Sequence, residues 1–493
     1  MYRAFNATAV RATEEPLLAA GEPLMERAAY AVAQAVIRTR PAPGARILAL
    51  VGKGNNGGDA LFAAAYLARR GFFVTAVFTD AHGGALAAAE RSGVRLVNLP
   101  DADPSDLLSL ARRAEVWIDG LLGIGARGGA REPYATWISA LVQQRAAMPV
   151  APVVVAVDVP SGVGVDDADL PGPFLPADLT VATGCLKPAH LLPPARYACG
   201  QVEVVELGIK PGEPPVAREV TDADVADLWH IPGREDHKYT RGVVGLVTGS
   251  REYPGAGVLS AAGALGGGPG MVRYLGTSPH VARAFPEVVP VTGRVQSWVV
   301  GSGLTDLDAA AGIVDQAISE RLPIVLDAAA IRLVYGRALP ESVVLTPHAG
   351  ELADLLSAHG MVWDRARVES QPVVAATRAA QLTGATVAAK FATTLIAAPV
   401  GAVFAQGRGP GWTGTAGAGD VLAGLMGTIL AAHVDALREE PEHSAVLAAA
   451  AVHIHQRAAA QAAGTLAGRV GQPITASDIA RALPSTIGSI LND

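Results

Sequence analysis

GKGNNGGD, residues 52–59, is the stretch on which the fold turns. It follows the apolar run ILALV at 47–51 and leads into an Ala-rich helical pattern beginning near Ala60, so it reads as strand, glycine loop, helix. Glycines there let the backbone approach a ligand closely, and free amides at a helix start favour phosphate. The segment is neither a P-loop, which needs Lys followed by Ser or Thr, nor a strict G-x-G-x-x-G. Taken alone it also suits a structural tight turn.

Outward from this unit the chain alternates short β-branched runs with helical patterns. A helix is expected over 22–37, where Leu24, Ala28, Ala31 and Ala35 recur at helical spacing. Strands are expected at 74–78, 95–99, 116–119, 153–158, 179–182 and 202–206. Runs apolar on both faces with helices between them indicate a parallel sheet covered on each side, a Rossmann-like doubly wound α/β domain. KPGEPPV at 210–216 interrupts any periodic element. A second alternating series follows, with strands expected at 243–248, 297–300, 324–327, 343–346 and 386–390, and then Ala-rich helices. The expected domains are therefore 1–212 and 220–493, both α/β.

Composition supports two compact domains: of 493 residues, 50% are apolar and 17% charged. The net charge of −7 (39 basic, 46 acidic), with no basic run, leaves no footprint for nucleic acid or an anionic membrane. The N-terminal residues lack the apolar core of a secretory signal. The longest charge-free stretch, 254–271, holds seven glycines and two prolines and is expected to form loops and short helix rather than a membrane span. A cytoplasmic protein follows. Cys185 and Cys199, without CxxC spacing, read as two buried free thiols.

Two further polar loops come directly after strands: Asp119 with its glycines, and Asp158 in VDVPSGVGVD. Loops at the carboxyl ends of parallel strands converge on one crevice. Asn56, Asp119 and Ser161 offer only oxygen donors, which suits a hard cation such as K⁺, although each also suits a helix or turn cap. Asp158 is the best-placed acid/base group, with Lys187 as its electrostatic partner.

These residues resemble a family. MERAA at 25–29, GKGNNGGD, DGLLGIGARGG at 119–129, DVPSG at 158–162 and TVATGCLKP at 180–188 are similar to the epimerase domain of NAD(P)H-hydrate repair enzymes, over nearly all of residues 1–210. The resemblance implies that Asn55, Asn56, Gly57, Gly58 and Asp59, the run Gly123, Ile124, Gly125, Ala126, Arg127, Gly128 and Gly129, and Asp158 meet the damaged dinucleotide. It further implies that Asn56, Asp119 and Ser161 hold K⁺.

In the second half, TGTAGAGD at 413–420 precedes the apolar helix VLAGLMGTIL. Small residues before a helix start expose several amides as an anion hole, and Asp420 can take a proton from a substrate hydroxyl or simply cap the helix. With HKYTRG at 237–242, GSREYPGA at 249–256, VVGSGL at 299–304, LDAAAI at 326–331, LTPHAGEL at 345–352 and ATVAAKFATTL at 385–395, this half resembles the ribokinase-like ADP-dependent NAD(P)H-hydrate dehydratase. The resemblance implies that Ala256, Gly303, His348 and Asp420 meet the hydrated cofactor. Lys390, Phe391, Ala392, Thr393, Thr394 and Gly419 would meet the adenine nucleotide, with ADP as co-substrate and Mg²⁺ beside it. This chain departs from the family pattern at Ser302, Thr305, Ala329, Phe391 and the GGGPG stretch at 266–270, which puts nucleotide affinity and dehydratase rate in question.

The expected function is thus repair of hydrated NADH and NADPH: epimerisation of the R and S hydrates in the first domain, then dehydration of the S form with ADP giving AMP and phosphate. The expected partners are these small molecules, with no nucleic acid and no membrane, and a homo-oligomer. The rival is a small-molecule kinase fused to a noncatalytic binding module; TPHAGEL and the joint presence of Asn56, Asp119, Asp158 and Lys187 argue against it. His348 either orients the nicotinamide or caps the helix starting near Gly350. His453 and His455, at i and i+2 of a helix, point to different faces and read as structural.

Overall fold

The computed structural model describes residues 1–99, 104–407, 409–466 and 470–492. The chain divides into two compact units, Arg3–Ala217 and Arg218–Asp493, and Met1–Tyr2 belongs to the second. In chain order the early strands are β1 (Tyr2–Ala4), β2 (Arg46–Val51), β3 (Phe73–Phe78), β4 (Arg95–Asn98), β5 (Val116–Gly120), β6 (Val153–Val157), β7 (Leu179–Thr183) and β8 (Gln201–Val205).

Among the described residues, the first unit's sheet has seven strands in the order β4-β3-β2-β5-β6-β7-β8, all parallel. Its double winding is written in β2, whose residues alternate between two cores. Ile47, Ala49 and Val51 join one cluster of buried side chains, while Leu48 and Leu50 join the cluster on the opposite face. Connections run outward from β2 through β3 to β4, and then the chain crosses to β5 on the other side. The strand order reverses between β2 and β5, so a crevice opens beyond their carboxyl ends.

The helix after β2 runs Asn55–Arg69, five residues earlier than the expected start near Ala60. A Cβ on Gly57 would lie 1.7 Å from the carbonyl oxygen of Gly52, so only glycine lets the first helical turn stand directly on the strand end. Asn55 to Asp59 therefore sit on the helix and not in a loop before it. Ahead of the expected helix, which spans Leu24–Arg38, an unanticipated one covers Ala7–Ala19.

The later strands are β9 (Ala217–Glu219), β10 (Val243–Val247), β11 (Met271–Tyr274), β12 (Ser297–Val300), β13 (Ile324–Leu326), β14 (Val343–Leu345), β15 (Thr386–Ala389), β16 (Thr394–Ala397) and β17 (Val403–Gln406). The second sheet has the order β1-β9-β17-β16-β15-β14-β13-β12-β10-β11. Strands β10 to β15 are parallel, and β16 and β17 form an antiparallel extension. Its order reverses at β10 and β12. Strands β11, β16 and β17 were not anticipated.

The charge-free stretch is mostly one helix, Pro254–Gly266, rather than loops. It lies against the helix Ala418–Ala432 through glycine: a Cβ on Gly263 would fall 2.1 Å from the Val421 oxygen, and one on Gly424 2.0 Å from the Ser260 oxygen. No described helix is long and apolar enough to cross a membrane.

Candidate active sites

At the first switch point a crevice of about 1060 Å³ opens, ample for a dinucleotide. Asn55, Asn56, Asp59, Gly123, Ile124, Gly125, Ala126, Arg127, Gly129 and Asp158 line it. Gly57 and Gly58 are buried in the helix contact instead, with Gly58 against Met25. Glu14, from the unanticipated helix Ala7–Ala19, also lines it.

Asp158 follows β6 in the left-handed region, at φ 64, a conformation that costs a non-glycine residue energy and is held by its surroundings. Its Oδ1 accepts from the Thr183 amide (3.0 Å), the Thr183 hydroxyl (2.9 Å) and the Lys187 ammonium. Those donors all fall on Oδ1, so Oδ2 keeps its accepting capacity. Burial alone drives this carboxyl up, but the charge and hydrogen bond of Lys187 outweigh it and hold the group below the usual carboxylate range. Lys187 is fully buried and also donates to the Thr183 carbonyl at 2.7 Å. Behind them His190 accepts from the Lys187 amide through Nδ1 (2.9 Å), which leaves Nε2–H to donate to the Asp158 carbonyl (2.7 Å). Burial, with Lys187 beside it, lowers His190 to about 4, so it is neutral.

Asp119, at the end of β5, is fully buried and accepts from the Ser161 hydroxyl (2.5 Å), the Ser161 amide (2.7 Å) and the Leu121 amide (3.3 Å). Burial pushes its carboxyl up to about 6 against these bonds. Asn56 donates its amide to the Leu122 carbonyl at 3.0 Å, which leaves its own oxygen as an acceptor. One carboxylate with hydroxyl and amide oxygens fits a hard cation of low charge.

In the second unit four adjacent strand ends are tied together around one carboxylate. Asp327, after β13, accepts from Ser302 after β12 (2.7 Å), Thr346 after β14 (2.7 Å) and Lys390 after β15 (2.6 Å). Burial raises Asp327, but Lys390 and the two hydroxyls overcome it and hold the group low; Lys390 is raised in return because Asp327 outweighs its burial. Sequence reasoning missed Asp327, Ser302 and Thr346 as a set. Only the strand order brings them together.

Asp420 faces this group from the first turn of Ala418–Ala432. The helix cap is Gly417, at φ 89, and not Asp420, whose side chain makes no capping bond. Burial and the Asp327 charge push its carboxyl up to about 7, with Lys390 and Ser302 opposing. A Cβ on Gly419 would lie 3.6 Å from the Lys390 ammonium, so the amides of this turn and the Lys390 head share one space. Gly303, half-buried at φ 67, lies against Ala256: a Cβ there would come within 2.5 Å of the alanine's. Thr393 and Thr394 are buried, whereas Phe391 is half-buried and Ala392 exposed. His348 caps the helix Ala349–Ala358, accepting from the Gly350 and Glu351 amides at 3.0 and 3.2 Å, with its ring largely exposed.

His453 bonds Asp222 (2.6 Å) and His455 is buried, in keeping with structural roles. Among the described residues no cluster of three His, Cys, Asp or Glu side chains suits a metal ion. Cys185 and Cys199 are buried and form no disulfide among the described residues.

Two family descriptions match the chain: YjeF-related protein N-terminus over residues 21–189, and NAD(P)H-hydrate dehydratase over residues 244–481. The bifunctional NAD(P)H-hydrate repair enzyme Nnr of Mycobacterium tuberculosis is 41% identical over 451 residues, 87% of this chain and 89% of that one. The enzyme of the same name from Mycobacterium leprae is 38% identical over 482 residues, 93% and 94% of the two chains. The NAD(P)H-hydrate epimerase of Clavibacter sepedonicus matches 43% of this chain and 94% of its own length at 44% identity. Among solved structures, the ADP/ATP-dependent NAD(P)H-hydrate dehydratase of Bacillus subtilis, co-crystallized with ATP/Mg²⁺, aligns over 55% of this chain and 97% of its own at 23% identity and a TM-score of 0.47. With relatives this similar along almost the whole chain and both of its α/β units matched, the protein belongs to the family of bifunctional NAD(P)H-hydrate repair enzymes, an epimerase domain followed by a dehydratase domain.

Proposed function

We propose that the first unit interconverts the R and S hydrates of NADH and NADPH and that the second dehydrates the S form with ADP, releasing AMP and phosphate. A hydrated nicotinamide carries a hydroxyl on the carbon beside the ring nitrogen. Donation of the nitrogen lone pair loosens that bond, so inversion needs mainly proton transfer. Asp158, kept ionised by Lys187, is the base. Asn56, Asp119 and Ser161 are the oxygen donors for K⁺, which would neutralise the buried Asp119 charge and stiffen the loop carrying Gly123.

In the second unit Asp420 takes the proton of the hydrate hydroxyl, and that oxygen attacks the terminal phosphorus of the nucleotide. The phosphate then leaves as the ring nitrogen donates its lone pair, and the ring carbon next to the departing group loses a proton so that a carbon–carbon double bond forms and the lone pair returns to nitrogen; hydroxide thus departs as phosphate. The Ala418–Ala432 amides and Lys390 receive the phosphates, and Mg²⁺ supplies further neutralisation of their charge. Ala256, Gly303 and His348 face the hydrate, and 391–394 with Gly419 the nucleotide. The observation that carries this reading is a half-buried Asp420 near neutral pKa on the helix turn that also presents the anion-binding amides.

The enzyme acts in the cytoplasm, which suits two buried thiols outside any disulfide among the described residues, and as a homo-oligomer, which light scattering on the full chain checks. The functional test is Asp420→Asn with both epimers and ADP, following the absorbance of restored NADH. Dehydration should fall roughly 10²- to 10⁴-fold while epimer interconversion persists. A rate within a few-fold of wild type would falsify the assignment of the base.

A further inference from the structure

We infer that Asp59 is the acid of the epimerisation, giving its proton to the departing hydroxyl while Asp158 works as base on the opposite face of the ring. The inference rests on the epimerase reading of the first unit and adds a second reacting group to it.

Asp59 is the fifth residue of the helix Asn55–Arg69, is 9% exposed and lines the same crevice as Asp158. Its Oδ1 is buried with no hydrogen-bond partner among the described residues. An ionised carboxylate left so is costly to desolvate, whereas a protonated one removes the charge and presents a donor to whatever enters. The groups around it act in the same sense. Burial raises its carboxyl well above the usual range, and the negative charges of Asp158, from the loop after β6, and Glu14, from the helix Ala7–Ala19, add to this. Lys187 opposes them but is already bonded to Asp158. Glu14 is itself raised by burial, with Lys187 and Arg11 pulling the other way. The two carboxyls of one crevice are thereby pushed apart, Asp59 toward its protonated form and Asp158 toward its ionised form, which is how an acid and a base are set side by side.

The topology gives the spacing. Asp59 lies on the helix after β2 and Asp158 directly after β6, with β5 between these strands, so the two enter one crevice from strand ends about 9–10 Å apart. In the step, the bond between the ring carbon and its hydroxyl oxygen breaks, that oxygen takes the Asp59 proton, and the nitrogen lone pair forms a carbon–nitrogen double bond as water leaves. A second water adds to the same carbon from the other face, loses its proton to Asp158, and the double-bond electrons return to nitrogen. One water is released and one consumed, and the proton gained by Asp158 returns to Asp59 through solvent.

The test uses the full-length protein, an epimer-enriched NADH hydrate, no nucleotide, and chromatographic resolution of the epimers across pH. Wild type should interconvert them, with kcat falling on the alkaline side as Asp59 loses its proton. Asp59→Asn should lower kcat by roughly 10²- to 10⁴-fold with KM within a few-fold, and should lose the alkaline limb. Asp59→Glu should keep that limb. An unchanged kcat with raised KM, or an alkaline limb that survives in Asp59→Asn, overturns the proposal and returns Asp59 to a binding role. If Asp59→Asn does not fold, Glu14→Gln decides. Loss of a neighbouring negative charge should move the alkaline limb to lower pH, and an unmoved limb overturns the inference. A wild type that leaves the epimers unchanged is a different result, because it removes the epimerase reading itself.

Discussion

At the scale of single residues, the two units set their carboxyls by different means. Asp420 lies near 7 because burial and Asp327 raise it, and a base works only when deprotonated. Dehydration should therefore climb from pH 6 to 8 in wild type. Asp327→Asn removes the neighbouring negative charge and frees Lys390, both of which lower the Asp420 carboxyl, so the rising limb should move to lower pH; a limb shifted upward or unmoved contradicts the arrangement. In the first unit Lys187→Met leaves a buried Asp158 without its cation, a change that costs about 3–5 kcal/mol in such pairs. Asp158 is depressed in the fold, so it contributes stability above its unfolded pKa, and this is lost as pH falls through the folded value. Without Lys187, burial raises the Asp158 carboxyl, so the variant takes up a proton as pH falls while wild type stays ionised; the variant should therefore be weakest relative to wild type at pH 7, and the gap should narrow at pH 5, measured by urea unfolding. Asp158, Lys187 and Asp420 were legible because each ends a recognisable loop. Glu14 was not, since its helix carries Pro16 and no motif, and Asp327 was not, since its partners are 19 to 63 residues away in sequence.

At the scale of elements, the β-branched runs placed the central strands to within a residue or two, because buried parallel strands must be apolar on both faces. Helix starts were harder to read. Asn-Asn-Gly-Gly has poor helix propensity, yet the tertiary contact of Gly57 with Gly52 imposes the helix there. The hairpin β16–β17 was not anticipated. Glycine contacts give a paired prediction. Gly424→Ala drives a methyl to 2.0 Å from the Ser260 oxygen and should cost about 1–3 kcal/mol, seen as a lower melting temperature, while displacing the helix that carries Asp420. Gly312→Ala, on the helix Asp308–Ser319 with nothing within 4 Å, should instead stabilise by about 0.5–1 kcal/mol. If both alanines behave alike, close approach is not what Gly424 provides.

At the scale of the whole molecule, the two units carry separate cores and separate clusters of polar side chains at their strand ends. Fragments 1–217 and 218–493 should accordingly divide the chemistry, the first interconverting epimers without nucleotide and the second consuming a single epimer with ADP. A first fragment that folds but leaves the epimers untouched would favour a noncatalytic binding module. The glycine contacts also bear on how mutational data for this chain should be read. Every single-nucleotide change in a glycine codon that alters the residue adds a Cβ or ends the chain. A saturation scan scored on growth should therefore show Gly57, Gly263 and Gly424 as intolerant as Asp420, although none of the three need touch a ligand. Scored separately for protein abundance and for turnover, the glycines should fail in the first screen and Asp420 only in the second, so that intolerance alone would draw the active sites too wide.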